Sequence, residues 1–354
     1  MTYLARYDII INICKFYTLW DFYQIFVARQ FMRDGENELK QMVRCAQLFY
    51  EYDLPQAKIA QKLGLSTSKV SRLIRGARQS GLVEVRIKVS HIRNLEITLM
   101  NRFDLRDVVV VQGRSNGDIK MDLGEAAARY FERTVKDGSR VLISGGSTIF
   151  EFVNEIQTSD KQLEIFSFSV LHSDNTYLSA YTLASLLCAK HRRRSTVQGV
   201  VIPWELVKDN LIVLHEFQSA PAIQQACAEA ENADVAIVGI ENLSDGTRLG
   251  TFAREAEINM DIVREKGTGS INYQAFDENG EIIDFDWYEK VVLFSIQRLK
   301  EMTYHPTKHV IAVAGGKEKV ACIQAALKGH FFDILITDED VALELLRRVT
   351  ERRG

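Results

Sequence analysis

The chain has 354 residues, 46% hydrophobic and 26% charged, with a formal net charge of −3. That length holds about two or three domains with ordinary buried cores. The five cysteines, Cys14, Cys45, Cys188, Cys227 and Cys322, are odd in number and scattered, with no CxxC pair or Cys/His cluster. They exclude a disulfide framework and a structural zinc, and fit a reducing cytoplasm.

Residues 1–31 form an aromatic, β-branched stretch interrupted by Lys15 and Asp21. A membrane helix needs about 20 consecutive apolar residues, and a secretory leader needs a small-residue cleavage site. Neither pattern is found, so no membrane partner is expected. The segment reads as an extension outside the domain plan, with Met32 as an alternative start.

From Pro55 to Leu82 the pattern is two short helices joined at a glycine. Ile59, Ala60 and Leu63 repeat at helical spacing, and Gly64 permits a sharp turn. Ser66 then caps a second helix whose buried stripe is Val70, Leu73 and Ile74. The other face carries hydroxyls and cations, the groups that reach phosphates and base edges from a recognition helix. The candidate DNA contacts are Gln56, Ser66, Thr67, Ser68, Lys69, Ser71, Arg72 and Arg75. An amphipathic helical hairpin without a DNA role would show the same periodicity. Gly81 ends the helix, and Leu82–Ser90 alternates like a short wing strand.

Charge is distributed to match. From Lys40 to Arg93 there are 11 Lys and Arg against 3 Asp and Glu, a local +8 that leaves −11 elsewhere. One basic segment on an acidic remainder suits phosphate binding by that segment, with affinity that falls as salt rises.

Next, Leu95, Leu99 and Phe103 line one face of a connecting helix over Asn94–Asp104, which packs on the second domain or on a partner subunit. Seven apolar runs follow, at Val108–Val111, Val141–Ile143, Leu163–Val170, Val197–Ile202, Val235–Ile240, Val310–Ala314 and Ile334–Ile336. Helical patterns lie between most of them, including Lys120–Val135, Thr176–Lys190, Ala222–Glu231 and Lys317–Leu327. The alternation predicts a mostly parallel sheet covered on both faces. His305 and His309 are separated by Pro306, which keeps them from forming a metal pair on one regular helix.

In such a sheet, ligands bind beyond the carboxyl ends of the strands. Two strand-to-helix loops stand there. One carries Gly145, Gly146, Ser147 and Thr148, and the other carries Gly315 and Gly316 followed by Lys317 and Lys319. Glycine serves turn geometry alone in many such loops. Amide groups, hydroxyls and a helix N-terminus together also suit an anion.

At this point the chain resembles the SorC family of sugar-responsive bacterial transcriptional regulators, over about residues 40–349. Beside the helix pair, the resemblance rests on Asp234–Ile240, on GTGSINYQAFDENG from Gly267 to Gly280, and on the run from Ile311 to Asp340 with AGGxxK and LITDE. It implies an effector domain similar in fold to sugar-phosphate isomerases and glucosamine-phosphate deaminases, and assembly as a homodimer or homotetramer on palindromic operator DNA. It assigns Gly145, Gly146, Ser147 and Thr148 to a phosphate-cradling loop and Lys319 to effector phosphate. Ser270 stands where family members often carry an acidic residue. Family members reading a second phosphate place arginine after the third strand, where this chain offers His172 and Asn175 as candidates for the sugar.

The resulting expectation is an N-terminal all-α winged helix-turn-helix domain followed by an α/β domain. Residues 1–31 are the extension, 32–93 the DNA-binding domain, 94–106 the connecting helix, and 107–354 the effector and oligomerisation domain. The expected partners are double-stranded operator DNA and a phosphorylated sugar or polyol, with no cofactor and no metal. The rival is a sugar-phosphate isomerase or deaminase-like enzyme. Asp234, Asp338 and Glu339 lie at strand ends or loops, but no compact acid–base pair emerges from the spacing.

Overall fold

A computed structural model describes residues 37–83, 90–113, 118–171, 176–191, 194–204, 209–244, 247–255, 259–284 and 294–351. The expected extension, most of the expected wing strand (84–89), and the candidates His172 and Asn175 lie outside the described residues. Contacts divide the chain into two units, Met1–Lys88 and Val89–Gly354.

In the first unit, helix α1 covers residues 37–50, α2 Gln56–Leu63 and α3 Thr67–Gln79. Gly64 ends α2 in the left-handed region at φ 66°, a geometry that costs glycine nothing. Ser66 starts α3 by accepting a hydrogen bond from the Lys69 amide at 3.2 Å. Cys45 and Leu48 from α1 close against Ile59, Ala60, Val70, Leu73 and Ile74 to form one small core.

The second unit begins with α4 (His91–Phe103), capped by the Ser90 hydroxyl. Its Leu95 and Leu99 are buried in the main core, so the connecting helix packs on its own sheet domain. It is followed by β1 (Asp107–Val111), α5 (Ile119–Thr134), β2 (Arg140–Ile143), α6 (Ser147–Glu155) and β3 (Glu164–Leu171). Next come α7 (Ala180–Lys190), β4 (Thr196–Pro203), α8 (Leu211–Ser219), α9 (Pro221–Ala230) and β5 (Val235–Gly239). The chain continues with α10 (Arg248–Glu255), α11 (Asp261–Lys266), β6 (Gly267–Ile271), β7 (Gln274–Asp277) and α12 (Ile296–Thr303). It closes with β8 (His309–Val313), α13 (Val320–Lys328), β9 (Ile334–Asp338) and α14 (Glu339–Glu351).

The seven expected strands form one sheet in the order β1-β9-β8-β5-β2-β3-β4, and every neighbouring pair is parallel. The β-branched runs follow from burial on both faces. Val238, Val310 and Leu335 face one core, while Val141, Ile237, Ile311 and Ile336 face the other. The chain runs outward from β2 to β4, then returns to β5 on the other side of β2. The crevice between the carboxyl ends of β2 and β5 is therefore the topological switch point.

An antiparallel hairpin of β6 and β7 lies outside the sequence expectation. Its two-residue turn holds Asn272 and Tyr273 at φ 49° and 65°, the mirror-image turn that suits the twist of paired strands. Glu241, just after β5, bridges to Ser270 on β6, each amide donating to the other's carbonyl at 3.0 and 2.8 Å. The hairpin is thereby fastened beside the switch point.

Candidate functional sites

At the start of α3 and along it, Ser66, Thr67, Ser68, Arg72 and Arg75 are exposed and Lys69 and Ser71 half-buried, while Gln56, the first residue of α2, is also half-buried. Ser68, Arg72 and Arg75 recur at helical spacing opposite the Val70–Leu73–Ile74 stripe, so one outward face holds hydroxyls and guanidinium groups together. Arg78 is differently employed. Its guanidinium donates to the Tyr50 hydroxyl and lies 5.4 Å from that ring's centre, bracing α3 on α1.

In the sheet domain, the loop after β2 leads directly into α6, whose start at Gly146 has no side-chain cap. Thr148 is buried and Ser147 half-buried at this helix start. The Gly146 amide itself donates to the Leu178 carbonyl at 2.9 Å and is not free for a ligand. Gly145 is required by crowding: a Cβ there would lie 2.4 Å from the Leu178 carbonyl oxygen and 2.7 Å from Arg248 Nη1.

Arg248 is the residue that sequence reasoning missed. It opens α10, and its side chain is 14% exposed against 17% for Glu241. Glu241 Oε1 accepts from Arg248 Nε at 2.6 Å, and Oε2 accepts from the Arg248 amide at 3.2 Å. The guanidinium carbon lies 5.1 Å from the centre of the Tyr273 ring. Burial works against the arginine's charge, but Glu241 and Tyr273 more than offset it and hold its pKa above the usual value. Burial also pushes the Tyr273 phenol up, against the opposing pull of Arg248. The result is a largely buried cation fixed on one side by a carboxylate and an aromatic ring, with its Nη1 edge toward the Gly145–Gly146 loop. Ser270, 1% exposed, belongs to the same end through its bridge to Glu241.

The loop after β8 departs from the expected repeat of this arrangement. The Gly316 amide donates to Asp338 Oδ2 at 2.7 Å, and a Cβ on Gly316 would meet the Glu318 carboxylate at 2.5 Å. An anion entering there would face two carboxylates, so this loop's offering is the Lys319 side chain, which is half-buried at the start of α13. Strand order puts β5 between β2 and β8. The two loops thus leave the same sheet end roughly 10 Å apart, at two strand spacings, with Glu241, just after β5, between them.

The carboxylates considered for catalysis are separated or committed. Asp234 Oδ2 accepts from the Arg140 amide at the opposite sheet end. Asp338 gives one oxygen to Gly316 and the other to the Val341 amide. Among the described residues there is no group of three or more His, Cys, Asp or Glu placed to hold a metal, and no helix long and apolar enough to cross a membrane.

Residues 87–347 match the family model described as "Putative sugar-binding domain". The chain is 24% identical over 322 residues to the sorbitol operon regulator of Klebsiella pneumoniae, covering 89% of this chain and 100% of that protein. It is 28% identical over 325 residues to the deoxyribonucleoside regulator of Bacillus subtilis (strain 168), covering 88% and 99%. The crystal structure of the full-length sorbitol operon regulator SorC from Klebsiella pneumoniae shares the fold. Its TM-score is 0.62 at 23% identity, over 88% of this chain and 99% of that one.

Proposed function

The chain belongs to the sugar-binding-domain family of SorC-type transcriptional regulators, and from that premise we propose that its sheet domain senses a phosphorylated sugar or polyol and so controls operator binding. It is a DNA-binding regulator of the sugar-operon class and not an enzyme. One observation carries the phosphate reading. The largely buried Arg248 guanidinium is fixed by Glu241 and Tyr273 with an edge toward the uncapped start of α6. A cation oriented before binding, beside helix amides and the Ser147 and Thr148 hydroxyls, suits a phosphate in a site of low local dielectric. Lys319 supplies the second cation, and Ser270 a hydroxyl for the sugar. His172 and Asn175, which follow β3 in the sequence, stay in the proposal as candidates.

For the output, the proposal assigns Gln56, Ser66, Thr67, Ser68, Lys69, Ser71, Arg72 and Arg75 to operator contact, on a cytoplasmic homodimer or homotetramer. The proposed domain plan keeps residues 32–93 as the DNA-binding domain and 107–354 as the effector and oligomerisation domain, with the helix over 94–106 between them. Two recognition helices must enter successive major grooves about 34 Å apart, so an effector that favours one quaternary arrangement shifts operator affinity by linkage. Thermal unfolding with phosphates of ribose, fructose and glucosamine, each beside its free sugar, tests the input. A ligand at 100 times its Kd adds about 2.7 kcal/mol. We expect a rise of several degrees with at least one phosphate and none with its free sugar. Equal shifts with both would refute phosphate recognition.

A further inference from the structure

The junction of β9 and α14, Asp338–Asp340, links the loop before Lys319 to the first residue of α4. Asp338 holds the Gly316 amide at 2.7 Å. The next residue, Glu339, sends its two oxygens elsewhere. Oε1 lies 3.2 Å from His91 Nε2, and Oε2 accepts from Gln112 Nε2 at 3.2 Å. Asp340 adds a second strap, its Oδ2 lying 3.3 Å from Lys317 Nζ. Three consecutive carboxylates therefore grip the effector loop on one side, and the start of α4 with the end of β1 on the other. A cavity of about 370 Å³ lies beside Gly316, Lys317 and Glu339.

Helix α4 is held along its length by its own sheet domain. Leu95 and Leu99 seat it in the core, and Glu96 Oε1 accepts from the Val110 amide on β1 at 3.1 Å. Its first residue, His91, stands at the junction where the chain arrives from the DNA-binding unit. The helix thus has firm contacts along its length and, at its first turn, a grip on the effector loop's neighbour.

We infer that Glu339 is the coupling residue of this regulator: it links the state of the Gly315–Lys319 loop to the position of α4 without itself binding the effector. The inference rests on the reading of Lys319 as a phosphate contact. When phosphate draws Lys319, the loop shifts, the Gly316–Asp338 bond and the Lys317–Asp340 pair are disturbed, and the Glu339 clasp on His91 and Gln112 changes with them. Coupling of this kind is a property of the ratio of operator affinities with and without effector, not of either affinity alone.

The test uses the full chain, its own promoter fragment, and whichever of the ribose, fructose and glucosamine phosphates stabilises the protein. Calorimetry gives the sugar-phosphate Kd without DNA, and fluorescence anisotropy gives the operator Kd with and without that sugar phosphate. Glu339→Gln is expected to keep the sugar-phosphate Kd within about twofold and to reduce the effector-induced change in operator Kd at least threefold. His91→Ala, which removes the link from the helix side, should reduce that ratio in the same direction and guards against a folding defect in the first variant. A wild-type ratio in both variants overturns the inference, as does a loss of sugar-phosphate affinity in Glu339→Gln equal to that of Lys319→Ala. Unchanged sugar-phosphate binding in Lys319→Ala would instead overturn the effector reading itself, so the two failures are distinguishable.

Discussion

Replacing Arg248 by methionine removes the charge at the proposed phosphate site while keeping a stem of similar length beneath Tyr273. The guanidinium is largely buried and paired through Nε to Glu241, so its loss strands a carboxylate that is 17% exposed. Removing one partner of a buried pair costs about 3–5 kcal/mol. Glu241 keeps its bond from the residue-248 amide, which sets the expectation at the low end, about 3 kcal/mol. For a domain of this size that lowers the melting temperature by about 6–12 °C. Losing a charge-assisted bond to phosphate costs about 1.5–3 kcal/mol, a weakening of about 10- to 150-fold in Kd. Calorimetry with the stabilising sugar phosphate reads the second effect, and thermal unfolding reads the first. Adding Glu241→Gln to Arg248→Met should restore much of the melting temperature and none of the affinity. If Arg248→Met melts lower yet binds the sugar phosphate as the wild type does, the arginine is a structural ion-pair partner and the phosphate argument fails.

Thr148→Ala and Lys319→Ala should each abolish the sugar-phosphate response in thermal unfolding while leaving operator binding intact; a retained response in both would remove these loops from the site. Arg72→Ala and Arg75→Ala should weaken operator binding in anisotropy titrations. A base contact costs about 1–3 kcal/mol for the cognate sequence alone, whereas a phosphate contact weakens all sequences alike and lowers the salt slope. Unchanged binding in both variants would take α3 out of the interface. Burial pushes the Cys322 thiol up to about 12 despite the opposing charge of Lys319. At pH 8 its thiolate fraction is on the order of one in ten thousand. A disulfide reagent should therefore leave Cys322 unmodified in the native protein and label it on unfolding. Rapid native labelling would contradict its placement under β6, where a Cβ on Gly269 would come within 2.4 Å of Cys322 Cβ.

The seven parallel strands were legible because burial on both faces demands runs such as Val108–Val111 and Val235–Ile240, which no loop needs. The helix pair was legible because Gly64 and Ser66 are the residues its turn and cap require. The β6–β7 hairpin escaped because Gly267–Asp277 is short and rich in glycine and polar residues, with no run of β-branched residues to mark strands. Its one local sign was an asparagine at the first turn position. Arg248 escaped for another reason. Nothing in the spacing from Glu241 to Arg248 resembles a motif, and Tyr273 is further along still. The three meet only because the bridge from Glu241 to Ser270 folds the hairpin back over the end of β5. The Gly315–Gly316 loop was read as a second amide cradle because composition cannot show that Asp338, 22 residues away, takes the Gly316 amide.

In the proposed function, a phosphate-bearing sugar bound at the carboxyl end of the sheet alters DNA binding by the helix-turn-helix unit. The most direct measurement is operator affinity of the full chain on its own promoter fragment, by anisotropy at fixed salt, with matched phosphorylated and free sugars. A phosphorylated member should change the operator Kd several-fold, its free sugar should not, and Arg248→Met should lose the change while still binding the operator. An equal effect of the free sugar, or an undiminished effect in Arg248→Met, would contradict it.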